Sequence, residues 1–323
     1  MQNKVKFVIL IAVAAILISS CSKGKSYPDP PVAPSPTPQS DTLGTGWQKI
    51  NGDTTKYYSD VFFVNTQTGF ICAKNYLGKS VDGGLTWQQS VPDSLNDDFI
   101  NIFFLDANHG WVTGRSTLIR TIDGGNTWKK IQSNKLLFDM QFFDANNGYI
   151  TSDTGGLYRT SDGGVTLDSV FRGDGGRSLF FLNQHKGWIT GNYFYRTDDA
   201  GQSFLRLLLG AGYLYNTDYV IQFTDSLHGW ITGPQILRRT SDGGSNVEIL
   251  IGNTNGGGDV HFFDANNGYI MTGDAIYSTT DGGTTRTKLC IIHKCTLSEI
   301  HFTDPNHGWA AGSVGGIYRY VKL

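Results

Sequence analysis

The chain is almost without glutamate: Glu248 and Glu299 are its two glutamates, and every other acidic residue is an aspartate. Glutamate favours helix interiors whereas aspartate and glycine favour turns, so a mainly helical protein is excluded. Charge is sparse at 17% of residues, and a formal net charge of −2 leaves no basic footprint for nucleic acid. Cysteine is limited to Cys21, Cys72, Cys290 and Cys295, and no zinc knuckle follows from that spacing. What is abundant is glycine, 41 residues, together with 13% aromatics. The hydrophobic fraction of 39% supplies a sizeable core and excludes wholesale disorder. The balance points to an all-β, turn-rich fold.

Residues 1–20 stand apart. Lys4 and Lys6 precede an apolar run over residues 7–18, too short for a comfortable membrane span, followed by Ser19, Ser20 and Cys21. Ile18-Ser19-Ser20-Cys21 resembles the bacterial lipoprotein cleavage box, which implies lipidation of Cys21; the other reading is an ordinary secretory signal. Six of the nine prolines then fall between Pro28 and Pro38, an extended, semi-rigid tether. The expected organisation is a signal over 1–20, an anchor and tether over 21–46, and a folded head over 47–323. That predicts a membrane partner through a lipid anchor, in a bacterial envelope, at an outer membrane with the head facing periplasm or surface.

Internal repetition dominates the head. A glycine followed by an aromatic recurs as Gly69-Phe70, Gly110-Trp111, Gly148-Tyr149, Gly187-Trp188, Gly229-Trp230, Gly268-Tyr269 and Gly308-Trp309, at spacings of 38 to 42 residues. Six residues before each glycine stands a phenylalanine, from Phe63 to Phe302; four before it stands an asparagine or aspartate; eight before it stands an apolar residue. Alternating apolar positions, an Asx-to-glycine turn and a later Asp-Gly-Gly turn make four strands in about 40 residues, the size of a β-propeller blade. After Tyr318-Arg319-Tyr320 the chain stops with no Asp-Gly-Gly, while Trp47-Gln48-Lys49-Ile50 matches Trp128-Lys129-Lys130-Ile131. The prediction is a seven-bladed propeller of four-stranded blades, closed by an N-terminal strand that completes the last blade and hides both sheet edges.

The second turn, as in Ser80-Val81-Asp82-Gly83-Gly84-Leu85-Thr86-Trp87, resembles the Asp box of bacterial neuraminidase repeats. The combined repeat resembles the photosystem II stability/assembly factor-like family of seven-bladed propellers, over residues 47–323. It departs from the pattern at Leu167, at Asn246-Val247 and at Arg286. The resemblance implies a non-catalytic binding scaffold that assists assembly or stability of a protein complex, here an envelope complex. The box aspartates Asp82, Asp123, Asp162, Asp199, Asp242 and Asp281 read as structural, because six copies of one site make a poor active centre. Sialidase-like hydrolysis would require three central arginines and an Arg-Ile-Pro motif, which the mature N-terminal region does not supply. Glu248 falls on an outer strand, while Glu299 with Asp60 or Asp259 is the better-placed acid–base pair.

Two further clusters are candidates. Nine residues before each repeat glycine the chain reads Asp60, Asn101, Asp139, Ser178, Val220, Asp259 and Glu299, which predicts an acidic channel mouth with His261 and His301 two residues further in. Carboxylates and imidazoles converging in this way can hold a divalent metal; the alternative is a hydrated polar lining with no cofactor. The inter-blade connection over 207–219 carries Tyr213, Tyr215 and Tyr219, and Arg172 and Arg177 flank another; such loops can anchor a protein partner or stack on a glycan. Cys290 and Cys295 are spaced for a small disulfide loop in an exported protein, and Cys72 reads as a buried thiol. The basic residues Lys79, Arg120, Arg159, Arg196, Arg239 and Arg319 are expected to lie over neighbouring blades with their stems buried. The protein is expected to be monomeric.

Overall fold

The computed structural model describes residues 41–323 except 45, 96, 133–134, 154–155, 173–175, 192, 208–219, 234–235, 253–257, 274, 294 and 323. The signal, Cys21 and the proline run, and likewise Tyr213, Tyr215 and Tyr219, lie outside the described residues. Gln39–Leu323 form one compact unit.

Seven antiparallel sheets follow one another around a ring. Blade one runs outward through Tyr58–Phe63, Gly69–Ala73, Tyr76–Ser80 and Gln88–Gln89. Each innermost strand packs on that of the next blade, and Leu297–Asp304 of blade seven packs on Tyr58–Phe63 of blade one. Apart from a 3-10 turn at Asp93–Leu95, the described residues form no helix. Closure is as the repeat pattern predicts. Trp47–Asn51 lies antiparallel to Gly316–Val321 as the outer strand of blade seven, with Trp47 opposite Tyr320.

Strand pairing extends upstream of Trp47. Thr42–Leu43 add a fifth strand to blade six, pairing with Ile291 and Cys290, so the packed unit begins before Trp47. The apolar Leu43 rests on the cluster that contains Trp47, Cys290 and Tyr318.

One device accounts for the repeat. The aromatic after each glycine stacks on the repeat phenylalanine of the next blade: Phe70 on Phe104, Trp111 on Phe142, Tyr149 on Phe181, Trp188 on Phe223, Trp230 on Phe262 and Tyr269 on Phe302. Trp309 on Phe63 completes the circle at a centroid separation of 3.5 Å. Each such pair contributes roughly 0.5–1.5 kcal/mol beyond its buried area. The glycine is required because the phenylalanine ring lies flat over it; a Cβ at Gly69 would stand 2.5 Å from Phe63. The four tryptophans also donate Nε1–H to the Asp-box glycine carbonyl of the following blade, Trp309 to Gly83 at 2.9 Å across the closure.

Candidate functional site

Strand direction separates two faces. One carries the Asp boxes and the Asx turns; the other carries the starts of the innermost strands and the connections between blades.

On the first face every box is a closed hydrogen-bonding unit. In the second, Thr121 Oγ1 donates to Asp123 Oδ1 at 2.8 Å and accepts the Gly125 amide at 2.8 Å. Thr127 gives its amide to Oδ1 at 2.9 Å and its hydroxyl to Oδ2 at 2.6 Å. The hydroxyl and amide of Thr127 hold the Asp123 carboxyl down at about 2. Asp82, Asp162, Asp199, Asp242 and Asp281 are held in the same way, with Asn246 replacing the hydroxyl in the fifth box. The departure at Asn246 therefore preserves the turn. Lys79, Arg120, Arg196, Arg239 and Arg319 lie over the next blade, whereas Arg159 is exposed. Lys79 Nζ donates to Asn126 Oδ1 at 3.0 Å, Arg120 covers the Trp111 ring, and Arg239 reaches the Asp281 carbonyl at 2.9 Å and Glu248 at 2.6 Å. Glu248 is thus an exposed partner of Arg239 on the outer strand.

The second face opens into a cavity of about 680 Å3 over the centre of the ring, lined by Tyr57, Asn101, Phe138, Asp139, Arg177 and Glu299 among others. Asp60, Asp139 and Glu299 are among its lining residues, and the acids also bind the blades to one another. Asp60 Oδ2 accepts the Ile102 amide of blade two at 2.6 Å, and Asp259 Oδ2 accepts the Ile300 amide of blade seven at 2.8 Å. Asp139 Oδ2 accepts both Ser178 Oγ and the Leu179 amide of blade four. Loss of hydration raises Asp60 to about 7 and Asp139 and Asp259 to about 6. Glu299, withdrawn from water beside Asp259 and Asp60, is pushed well above the usual carboxylate range. Its side chain is hydrogen-bonded to that of Asp259.

A second ring of contacts lies one step deeper and escaped the sequence reading, although the same spacing reveals it. Seven residues before the repeat glycines stand Phe62, Phe103, Gln141, Phe180, Gln222, His261 and His301. Gln141 pairs with both the carbonyl and the amide of Phe181, at 2.8 Å each, and Gln222 does the same to Phe262. His301 belongs to this set: its Nε2 lies 3.0 Å from the Phe63 carbonyl, an acceptor, so Nε2 carries the proton. Its ring lies 4.5 Å from that of Phe62 and 5.8 Å from that of His261. Loss of hydration depresses His261 to about 3 and His301 to about 4, so both are neutral. Among the described residues no three His, Cys, Asp or Glu side chains are disposed to hold a metal ion.

Other candidates are dispersed. Arg177 stands at the cavity with its guanidinium 4.3 Å from the centre of the Phe138 ring, while Arg172 sits on the outer strand of blade three beside Ser169. The disulfide suggested by spacing is not formed: Cys290 and Cys295 are free and buried, Cys290 paired in strand with Ile276 and Leu43, Cys295 with its sulfur 3.7 Å from the Tyr318 hydroxyl. Cys72 is a buried thiol, as read.

The family resemblance holds. A sequence model of the family described as Photosynthesis system II assembly factor YCF48 matches residues 39–137. Among solved structures, YCF48 bound to a D1 peptide is 21% identical with a TM-score of 0.71, covering 86% of this chain and 98% of its own. YCF48 from Cyanidioschyzon merolae is 17% identical with a TM-score of 0.69, over 86% and 99%. A GH74 xyloglucanase from Xanthomonas campestris is 11% identical with a TM-score of 0.65, over 84% of this chain and 53% of that one. At these identities the likeness is one of fold. No curated protein matches the chain.

Proposed function

We propose that this chain is a binding propeller whose cavity face takes up a segment of a protein partner and so assists the assembly or stability of an envelope complex. The observation that carries the reading is the cavity over the ring centre, framed by connections that differ from blade to blade on a scaffold whose repeated side chains are spent on holding blades together. The match to an assembly-factor family, and a relative in fold that carries a peptide, support it. Tyr57, half-exposed at the cavity, and Arg177 over Phe138 offer aromatic and cationic contact to a peptide. Hydrolysis fits less well, because Asp60 and Asp259 each give an oxygen to a neighbouring blade's amide and Glu299 is hydrogen-bonded to Asp259.

The lipoprotein-like box and the proline run support attachment through a lipid on Cys21. The test is affinity capture from detergent-solubilised membranes of the source cell, with crosslinking and mass spectrometry. A specific protein retained by the wild type and lost with Tyr57→Arg or Arg177→Glu supports the reading; equal retention by the variants, or no retained protein, rejects it. Radiolabelled palmitate should enter the wild type and not Cys21→Ala.

A further inference from the structure

The segment just before the ring-closing strand is bound more tightly than a linker needs to be. Asp41 has a side chain only 9% exposed. Its Oδ1 accepts the His293 amide at 2.9 Å and its Oδ2 accepts the Tyr318 hydroxyl at 3.1 Å, with Lys49 Nζ 3.6 Å away. His293 follows the outer strand of blade six, whereas Tyr318 and Lys49 belong to blade seven, so one carboxylate ties two blades. Thr42 and Leu43 then pair with Ile291 and Cys290. Gly44 lies so close to blade six that a Cβ would collide with the Leu289 carbonyl. The chain turns through the Trp47 amide to Gly44 carbonyl bond, with Gly46 at φ +91°, and enters the closing strand. Beneath the segment lie two thiols, Cys290 at 2% and Cys295 at 8% exposure, in the cluster that Leu43 covers.

We infer that residues 41–43 form a strap across the seam between blades six and seven, which holds the N-terminal chain to blade six and locks the ring-closing strand Trp47–Asn51 against being peeled from Gly316–Val321. The physical reason is the mode of closure. A ring shut by a terminal strand opens by fraying of that strand. The chain before residue 41 is covalently joined to the closing strand through residues 41–46. Without the strap, any displacement of the upstream chain is applied directly at Trp47, one hydrogen-bonded pair at a time. With the strap, it meets first the Asp41 bonds and the pairing to blade six. Burial pushes the Cys290 thiol up to about 12, which keeps it unreactive while the strap is down.

The thiols make the strap observable. The full chain is treated with N-ethylmaleimide under native conditions, and modification of Cys72, Cys290 and Cys295 is followed by peptide mass spectrometry, alongside amide hydrogen exchange. In Asp41→Ala, labelling of Cys290 and Cys295 and exchange over Trp47–Asn51 should each rise about tenfold, with Cys72 and the amides of blade three unchanged; a tenfold rise corresponds to about 1.4 kcal/mol of lost local protection. Tyr318→Phe, which keeps the ring but removes one bond to Asp41, should move the same sites by less. Unchanged labelling and exchange in both variants overturns the inference. So does a rise shared equally by Cys72, which would mean that Asp41 supports the whole fold and not this seam.

Discussion

Replacing Glu299 by glutamine should remove a pH dependence that the ring centre imposes on stability. Glu299 is held well above the ordinary carboxylate range by loss of hydration and by the charges of Asp259 and Asp60, so the folded state binds its proton where the unfolded chain has released it. A raised folded value means stability that is fully present in acid, below the unfolded value, and is lost as pH rises towards the folded one. The difference between wild type and Glu299→Gln over pH 5–8 isolates this group. His261 and His301, depressed to about 3 and 4, act with the opposite sign, but between pH 4 and their unfolded value near 6.5. Asp139 and Asp259, at about 6, have largely ionised by pH 7, and Asp60, at about 7, adds a share that fades across the window. One extra proton in the native state is worth about 1.4 kcal/mol per pH unit. Urea unfolding followed by tryptophan fluorescence should therefore show the wild type losing more stability than Glu299→Gln as pH rises from 5 to 8, by at most about 1.4 kcal/mol per pH unit. The variant, whose amide can still donate to Asp259, should keep only the share of Asp60, Asp139 and Asp259. An equal slope in wild type and variant, or a steeper loss in the variant, would refute the argument.

Three other outcomes follow from the seams and turns. Trp309→Phe keeps a ring to stack on Phe63 but strands the Gly83 carbonyl; urea unfolding should show a loss of about 1–3 kcal/mol. Gly148→Ala places a Cβ 2.6 Å from the Phe142 ring and should cost roughly 1–3 kcal/mol by overpacking, with Phe142 displaced from its stack on Trp111 in a crystal structure of the variant. Asp123→Ala removes the acceptor of three hydrogen bonds in one box; faster amide exchange should be confined to residues 121–128, with capture of the partner unchanged.

The ring was legible because its seams repeat. A phenylalanine, a glycine and an aromatic at fixed offsets recur seven times since each seam needs the same flat sandwich, and a missing Asp-Gly-Gly after Tyr320 pointed to Trp47 as the absent strand. The strap was not legible. Asp41, Leu43 and Gly44 match no position of the repeat, and their partners, His293 and Tyr318, lie more than 250 residues away in sequence. The cysteines misled for a related reason. A spacing of five suits a loop disulfide, but strand pairing assigns Cys290 to Ile276 and Leu43 and turns Cys295 towards Tyr318. The histidines share a strand face with the acids, as a spacing of two requires, but the rise of about 6.6 Å over two residues sets them in successive layers along the channel.

The repetition also bears on where binding specificity can reside. A side chain bonded to the backbone of the following blade is committed to the ring, and changing it is felt first as lost stability. Asp60, Asp139 and Asp259 are of this kind, as are Gln141, Gln222 and His301, since each contacts the backbone of the following blade. A partner that depended on them would have to break the bonds that shape its own site. Selectivity is then left to residues around the cavity that follow no repeat: Tyr57 before the first strand of blade one, Phe138 within the innermost strand of blade three, Arg177 just before that of blade four and Thr296 just before that of blade seven. Substitutions at these four can change the partner without opening a seam, and that separation of stability from recognition is what a propeller offers as a binding scaffold.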